Sequence, residues 1–229
     1  MTEGDTYTSF AELVRNTQEG KDFRRVIEWR RSCVAIVAPH GGGIEPGTSE
    51  VARALAGDKF ALYCFEGLRP NGNDELHVTS HCFDDPACIQ LVEQMQVVVA
   101  VHGCAGEDKA VYVGGLDDGL KSRLIQTLQR TGFRAGPSSG ELAGCYVDNI
   151  CNRGRLGQGV QLEITEGLRR AMFADLTWKG RETRTPVLGW FVEAVRRELE
   201  RGFQDNSGCR LQTVEGKGEF QVSDFDYAP

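Results

Sequence analysis

The sequence predicts an α/β fold built on a sheet of largely parallel character. Two observations carry that prediction. Apolar runs of strand length alternate with amphipathic stretches of helical length along most of the chain, which is the pattern of helices packed on a mainly parallel sheet. Two of the apolar runs, 33–38 and 97–101, end abruptly at His40-Gly41 and His102-Gly103. In open α/β sheets the carboxyl ends of strands are where sites form.

Ser9-Phe-Ala-Glu-Leu-Val14 reads as a short helix capped by Ser9. Residues 24–31 are basic and amphipathic. Residues 33–38 form the first buried strand, which is expected to stop at Pro39-His40. A helix over 48–56 begins after a glycine loop and ends at Gly57. Strands follow at 60–65 and, briefly, at 76–80. A helix runs from Asp85-Pro86 to Gln94, and strands are expected at 97–101 and 111–115. The stretch 118–131 is an amphipathic helix with apolar residues at 120, 124, 125 and 128. Strand 159–164 leads into helix 165–173, and Thr185-Pro186 opens a last helix reaching about Phe203. Residues 204–229 are polar and weakly patterned, a loose hairpin or tail. The expected organisation is a single catalytic domain over 1–203 with that appendage.

Net charge is −7, and Gly is abundant at 28 residues. The acidic balance argues against general nucleic-acid binding, which needs a basic face. An anionic substrate would have to be drawn by clustered Arg rather than by net charge. The polar opening residues show neither a signal peptide nor a membrane anchor, and no window is long enough to cross a membrane. The expected location is the cytoplasm, or release by lysis. The eight cysteines at 33, 64, 82, 88, 104, 145, 151 and 209 contain no Cys-x-x-Cys. Free buried thiols are expected.

The run Ala-Pro-His-Gly-Gly-Gly-Ile-Glu-Pro-Gly-Thr (38–48) is the most informative segment. Its glycines let the chain turn so that His40 and Glu45 face one point. Imidazole plus carboxylate with an open position is a recurring ligand set for catalytic zinc. His102 is the candidate third ligand. The competing reading is an anion-binding turn at the start of helix 48–56; the Gly-Lys-Ser/Thr ending of a phosphate-binding loop is absent. Arg153 and Arg155, in a Gly-rich stretch, are candidates for gripping a substrate carboxylate, or else solvated loop residues. His77 and His81 either line the cleft, donating to substrate, or are structural. Glu163, between Leu162 and Ile164, reads on its own as the solvent-facing member of a half-buried strand.

Six blocks occur in order: His-Gly-Gly-Gly-Ile-Glu-Pro-Gly-Thr (40–48), Leu-His-Val-Thr-Ser-His (76–81), Val-His-Gly (101–103), Val-Tyr-Val-Gly-Gly (111–115), Asn-Ile-Cys-Asn-Arg-Gly (149–154) and Gly-Val-Gln-Leu-Glu-Ile (159–164). Together they resemble the phage-type poly-γ-glutamate hydrolase family, over about residues 33–173. The resemblance implies a three-layer α/β/α sandwich with a mixed sheet, similar to zinc carboxypeptidases. It implies a zinc-dependent endohydrolase of the γ-glutamyl amide bonds of poly-γ-glutamate, with one Zn2+ held by His40, Glu45 and His102. It also implies Glu163 as the base that activates water. Zinc carboxypeptidases space their first His and Glu more closely than His40 and Glu45, so only the ligand types carry over from that wider group. Asp85 stands where the family block has Glu. The implied partner is an anionic γ-glutamyl polymer, acted on by a monomer without nucleic acid or membrane. A zinc amidase for small acyl-glutamates or γ-glutamyl amides would use the same site, and a non-catalytic anion-binding module is the reading from another class.

Overall fold

The computed structural model describes residues 5–205, with side chains described to residue 201. The proposed tail at 204–229 therefore lies almost wholly outside the described residues.

A sheet of seven strands runs in the order β1-β3-β2-β4-β7-β5-β6. The strands are β1 (Phe23–Glu28), β2 (Val34–Gly42), β3 (Ala61–Gly67), β4 (Val97–Cys104), β5 (Ala110–Gly114), β6 (Arg134–Pro137) and β7 (Val160–Thr165). The pairs β2/β3, β2/β4, β4/β7 and β5/β6 are parallel, while β1/β3 and β5/β7 are antiparallel. The sheet is therefore mixed and mainly parallel.

The helices are α1 (Phe10–Asn16), α2 (Thr48–Ala56), α3 (Pro86–Val92), α4 (Asp118–Arg130), α5 (Glu166–Met172) and α6 (Pro186–Asp205). They cover the two faces unequally. Leu55 of α2, Leu124 of α4, Met172 of α5 and Phe191 of α6 pack on Ile36, Leu62, Val99 and Leu162. On the other face, Phe10 and Leu13 of α1 and Leu91 of α3 meet Val37, Tyr63, Phe65 and Ala100. Only α1 and α3 serve that second face, and it is there that polar side chains gather.

Strand β7 shows why. Its sequence Val-Gln-Leu-Glu-Ile-Thr alternates, and side chains of a strand point to opposite faces in turn. Val160, Leu162 and Ile164 enter the four-helix core. Gln161, Glu163 and Thr165 are therefore aimed at the other side, and all three are buried.

Several expectations need correction. Strand β2 does not stop at Pro39: it continues to Gly42, with a register shift between Ala38 and Gly41. The bulge accommodates Pro39, which has no N–H to give a ladder. Residues 76–80 do not pair as a strand. A 3-10 turn (Asn73–Leu76) leads into an unpaired stretch whose polar groups serve the site described below. Residues 24–28 lie in the antiparallel edge strand β1. Strand β6 was not anticipated: it is four residues long and only half-buried, so it leaves no apolar run. The cysteines are not uniformly free and buried. Cys33 is disulfide-bonded, Cys145 is exposed, and Cys82 and Cys104 are half-buried; Cys64, Cys88 and Cys151 are buried free thiols. Cys209 lies outside the described residues. Asp85 is fully buried, caps α3 and accepts from Tyr63 and Arg25, so this carboxylate is part of the frame.

Candidate metal centre

His40, Glu45, His77 and His102 meet at the carboxyl ends of β2 and β4. The bulge in β2 makes this possible. Val37 pairs with Ala100, and both belong to the face served by α1 and α3. His102, two residues after Ala100, keeps that direction. His40 is three residues after Val37 and would point the other way in a regular strand. The extra residue at the bulge restores it, re-aiming the imidazole as bulges beside sites commonly do. His40 Nδ1 then lies 3.1 Å from His102 Nδ1 and 3.2 Å from Glu45 Oε1. His102 Nδ1 is 3.9 Å from Glu45 Oε2.

The loop carrying Glu45 is held from several sides. Glu45 N–H donates to His40 O at 2.9 Å, and the Thr48 hydroxyl donates to Glu45 O at 2.9 Å. Gly103 N–H donates to Glu45 Oε2 at 2.7 Å. Gly42 has φ +67°, and a Cβ there would stand 2.4 Å from Gly67 O, so the close approach of β2 to β3 requires glycine. A Cβ on Gly103 would lie 2.7 Å from the Arg169 guanidinium. Arg169 in turn donates to Pro46 O, Cys104 O and Ile164 O, tying the loops of both histidines to β7.

The second nitrogen of each histidine is engaged by residues 77–80. His40 Nε2 bonds Val78 O at 2.8 Å, which requires a proton on Nε2 and leaves Nδ1 bare. His102 Nε2 is 3.2 Å from Ser80 Oγ. His77 Nδ1 is 2.7 Å from Asp5 Oδ1, and its Nε2 is 4.0 Å from Glu45 Oε1. His40, Glu45 and His77 thus offer ligand atoms within 4.8 Å of one another.

The charge pattern calls for a cation. Two imidazole Nδ1 atoms and a carboxylate converge with little access to water. Burial opposes charge on His40, yet Glu45 outweighs it and raises the histidine's proton affinity. Burial also resists ionisation of Glu45, but His40 pulls its pKa down to about 2. Burial lowers that of His102 to about 3. This donor set and spacing fit a metal ion: a tetrahedral zinc site with bonds of about 2.0–2.1 Å has ligand–ligand edges of roughly 3.3 Å.

Glu163 pairs across the sheet with His102 on one side and Tyr112 on the other. Among the described residues no cation bonds it; Gln161 Nε2 donates to its Oε1 at 2.7 Å, and Asn149 Nδ2 donates to Gln161 Oε1 at 3.0 Å. Burial, reinforced by Glu45, pushes the Glu163 pKa up to about 8. Such a carboxyl exchanges protons near neutral pH, which is what acid–base work requires. Two neighbouring carboxyls whose environments drive their pKa values apart divide into a permanent anion and a proton carrier.

The other candidates fall in different places. His81 stacks on exposed Tyr146, with ring centroids 4.7 Å apart, next to Ser80 at the edge of the cluster. Arg153 and Arg155 stand elsewhere: Arg155 N–H donates to Met95 O, and Gly154 packs on Met95 and Val98 at the amino end of β4. Four residue steps along the strand separate Val98 from His102, roughly 13 Å. The backbone at 154–155 therefore packs toward the amino end of β4, away from the histidines. Asp5, Ser80, Gln161 and Asn149 were not singled out from the sequence. Strand alternation around Glu163 could have revealed Gln161; nothing local marks Asp5, whose partner is 72 residues away.

A cluster of metal-ligand-type side chains thus lies at the strand ends of an α/β sheet, and comparison with known proteins specifies the family. Residues 7–194 match the family described as poly-gamma-glutamate hydrolase. The chain belongs to that family, a hydrolase family. It is 37% identical over 202 residues to the UPF0714 protein YmaC of Bacillus subtilis, covering 87% of this chain and 86% of that one. The SPbeta prophage-derived protein YoqZ of the same organism is 39% identical over 179 residues, covering 77% and 65%. A bacteriophage poly-gamma-glutamate hydrolase superposes with a TM-score of 0.84 at 31% identity, covering 87% of this chain and 99% of the other. Zinc-free apo YndL superposes at 0.83 with 36% identity and the same coverage.

Proposed function

We propose that this protein is a zinc-dependent endohydrolase that cleaves γ-glutamyl amide bonds within poly-γ-glutamate. The observation that carries the proposal is the convergence of His40 Nδ1, His102 Nδ1 and the Glu45 carboxylate, with edges of 3.1, 3.2 and 3.9 Å, beside a buried, cation-free Glu163. Family membership supplies the substrate class, and a neighbour described as zinc-free supports zinc as the metal.

His40, Glu45 and His102 would hold the ion. The alternative third ligand, His77, stacks on His40 with centroids 3.9 Å apart and planes inclined by 35°, so its lone pair does not run in toward the point that the His40 ring plane faces. The His102 ring meets His40 at 64° with the two Nδ1 atoms leading, a better geometry for sharing one centre. Bound zinc would lower the pKa of a coordinated water to about 7 and polarise the scissile carbonyl. Glu163 takes a proton from the attacking water and delivers it to the departing amine. Gln161 holds one oxygen of Glu163 and leaves the other for that exchange. Val78 O and Ser80 Oγ fix the orientation of the two histidines.

No helix among the described residues is long and apolar enough to cross a membrane. We place the protein in the cytoplasm, or outside the cell after lysis. Incubation of zinc-loaded protein with poly-γ-glutamate, followed by sizing of the products, tests the function. Rapid shortening of the polymer is expected; an intact polymer alongside cleavage of small γ-glutamyl amides would assign the activity to a small-molecule amidase.

A further inference from the structure

Four ligand-type side chains border the pocket, and three of their contacts are explained above. The fourth involves the extreme amino end of the described chain. Asp5, which precedes α1, reaches residues 77–80 and accepts three hydrogen bonds: His77 Nδ1 at 2.7 Å, Thr79 N–H at 2.8 Å and the Thr79 hydroxyl at 2.5 Å. The same short stretch delivers Val78 O to His40 and Ser80 Oγ to His102. Asp5 is thus the clasp on the segment that orients both of those imidazoles. It also decides which nitrogen of His77 carries the proton. A neutral imidazole has a single N–H, and a carboxylate that accepts at Nδ1 leaves Nε2 bare.

That bare nitrogen stands 4.0 Å from Glu45 Oε1, too far for a direct hydrogen bond. The His77 side chain is one-third exposed, whereas His40 and His102 are buried, so His77 borders the solvent side of the pocket. A water entering there has two protons, and a base that removes one leaves the other in need of an acceptor.

We propose that Asp5 is a positioning residue which, by accepting a hydrogen bond from His77 Nδ1–H, presents the bare Nε2 as the second hydrogen-bond acceptor for the attacking water, so that this segment completes the site. The inference rests on the hydrolase reading given above. It makes Asp5 act on water orientation through His77 while its own hydrogen bonds go to His77 and Thr79 rather than to the three proposed ligands.

Imidazole nitrogen spectra of 15N-labelled protein test it directly, because the chain has only four histidines. Both zinc-free and zinc-loaded wild type should show His77 protonated at Nδ1 and bare at Nε2. Asp5→Asn keeps the side-chain volume and should shift His77 toward the Nε2–H tautomer; Asp5→Ala should leave a mixture. With poly-γ-glutamate as substrate, Asp5→Ala should lower kcat by about 10–100-fold, the usual cost of losing an outer-shell partner, with KM nearly unchanged. The same change made on top of His77→Ala should cost much less, the remainder being the loss of the two Thr79 bonds that anchor residues 77–80. An Nε2–H tautomer in wild type, or an Asp5→Ala loss that is undiminished in the His77→Ala background, would overturn the proposal. Failure of the wild type to bind zinc or cut the polymer would instead strike the hydrolase reading, while the tautomer measurement would still judge the Asp5–His77 link.

Discussion

Glu66 and Glu163 occupy similar places and live in opposite surroundings. Each lies near the carboxyl end of a buried strand, and each is almost completely hidden, with 1% and 3% exposure. Glu66 is gripped by Arg24 at 2.5 Å and Arg53 at 2.6 Å. Burial alone would raise its pKa, but Arg53 and Arg24 bring it below the ordinary value. Glu163 has no cation, only an amide, and its pKa rises to about 8. A buried carboxylate supplied with guanidinium partners is a fastener. One left with an amide and a neighbouring carboxylate keeps the cost of its own ionisation, the setting that the proposed proton transfer requires.

Swapping each acid for its amide should separate the two roles. Glu163→Gln should have the largest effect on activity, lowering kcat by about 10²–10⁴-fold while zinc content and thermal stability are retained, as measured by kinetics, metal analysis and melting. Wild-type turnover would remove Glu163 from the chemistry. Glu66→Gln should do the reverse. Loss of a charge-assisted pairing with two partly exposed arginines should cost about 1–3 kcal/mol in denaturant unfolding, with kcat unchanged well below the melting point.

Titration sharpens the contrast. The raised pKa of Glu163 in the folded metal-free protein exceeds its ordinary value of about 4.3 in an unfolded chain. Its contribution to stability is therefore fully present below about pH 4 and declines as pH rises through about 8. Metal-free wild type should lose more stability between pH 5 and 9 than Glu163→Gln does, by an amount on the order of 1–3 kcal/mol. Equal pH dependence in the two proteins would mean that Glu163 is not buried in its charged form. The smallest effect is expected from Arg153→Ala and Arg155→Ala. Both residues lie at the amino end of β4, and kcat/KM on poly-γ-glutamate should change by less than about twofold, in line with surface substitutions remote from a site.

The difference between the two glutamates also marks how far the sequence could be read. Helices α4 and α6 and the buried strands announce themselves through periodicity, and the abrupt His-Gly endings locate the ligand-bearing strand ends. The short edge strands β1 and β6 carry half-buried or polar residues and leave little pattern. Residues 77–80 read as a strand but form no ladder: their polar groups are spent on Asp5, His40 and His102, and a turn closed by Cys82 N–H donating to Thr79 O begins there. The bulge at Pro39 is invisible to alternation, yet it decides that His40 faces His102. Arg153 and Arg155 precede β7 in sequence, and the backbone at 154–155 packs at the amino end of β4, whereas Glu163 pairs with His102 near its carboxyl end.

Quantitative zinc binding by wild type, His102→Ala and His77→Ala, measured by competition with a chromogenic chelator, probes the arrangement most directly. Wild type and His77→Ala should each hold one ion per chain, and His102→Ala should hold none at micromolar zinc. Retention of the ion in His102→Ala together with its loss in His77→Ala would contradict the account.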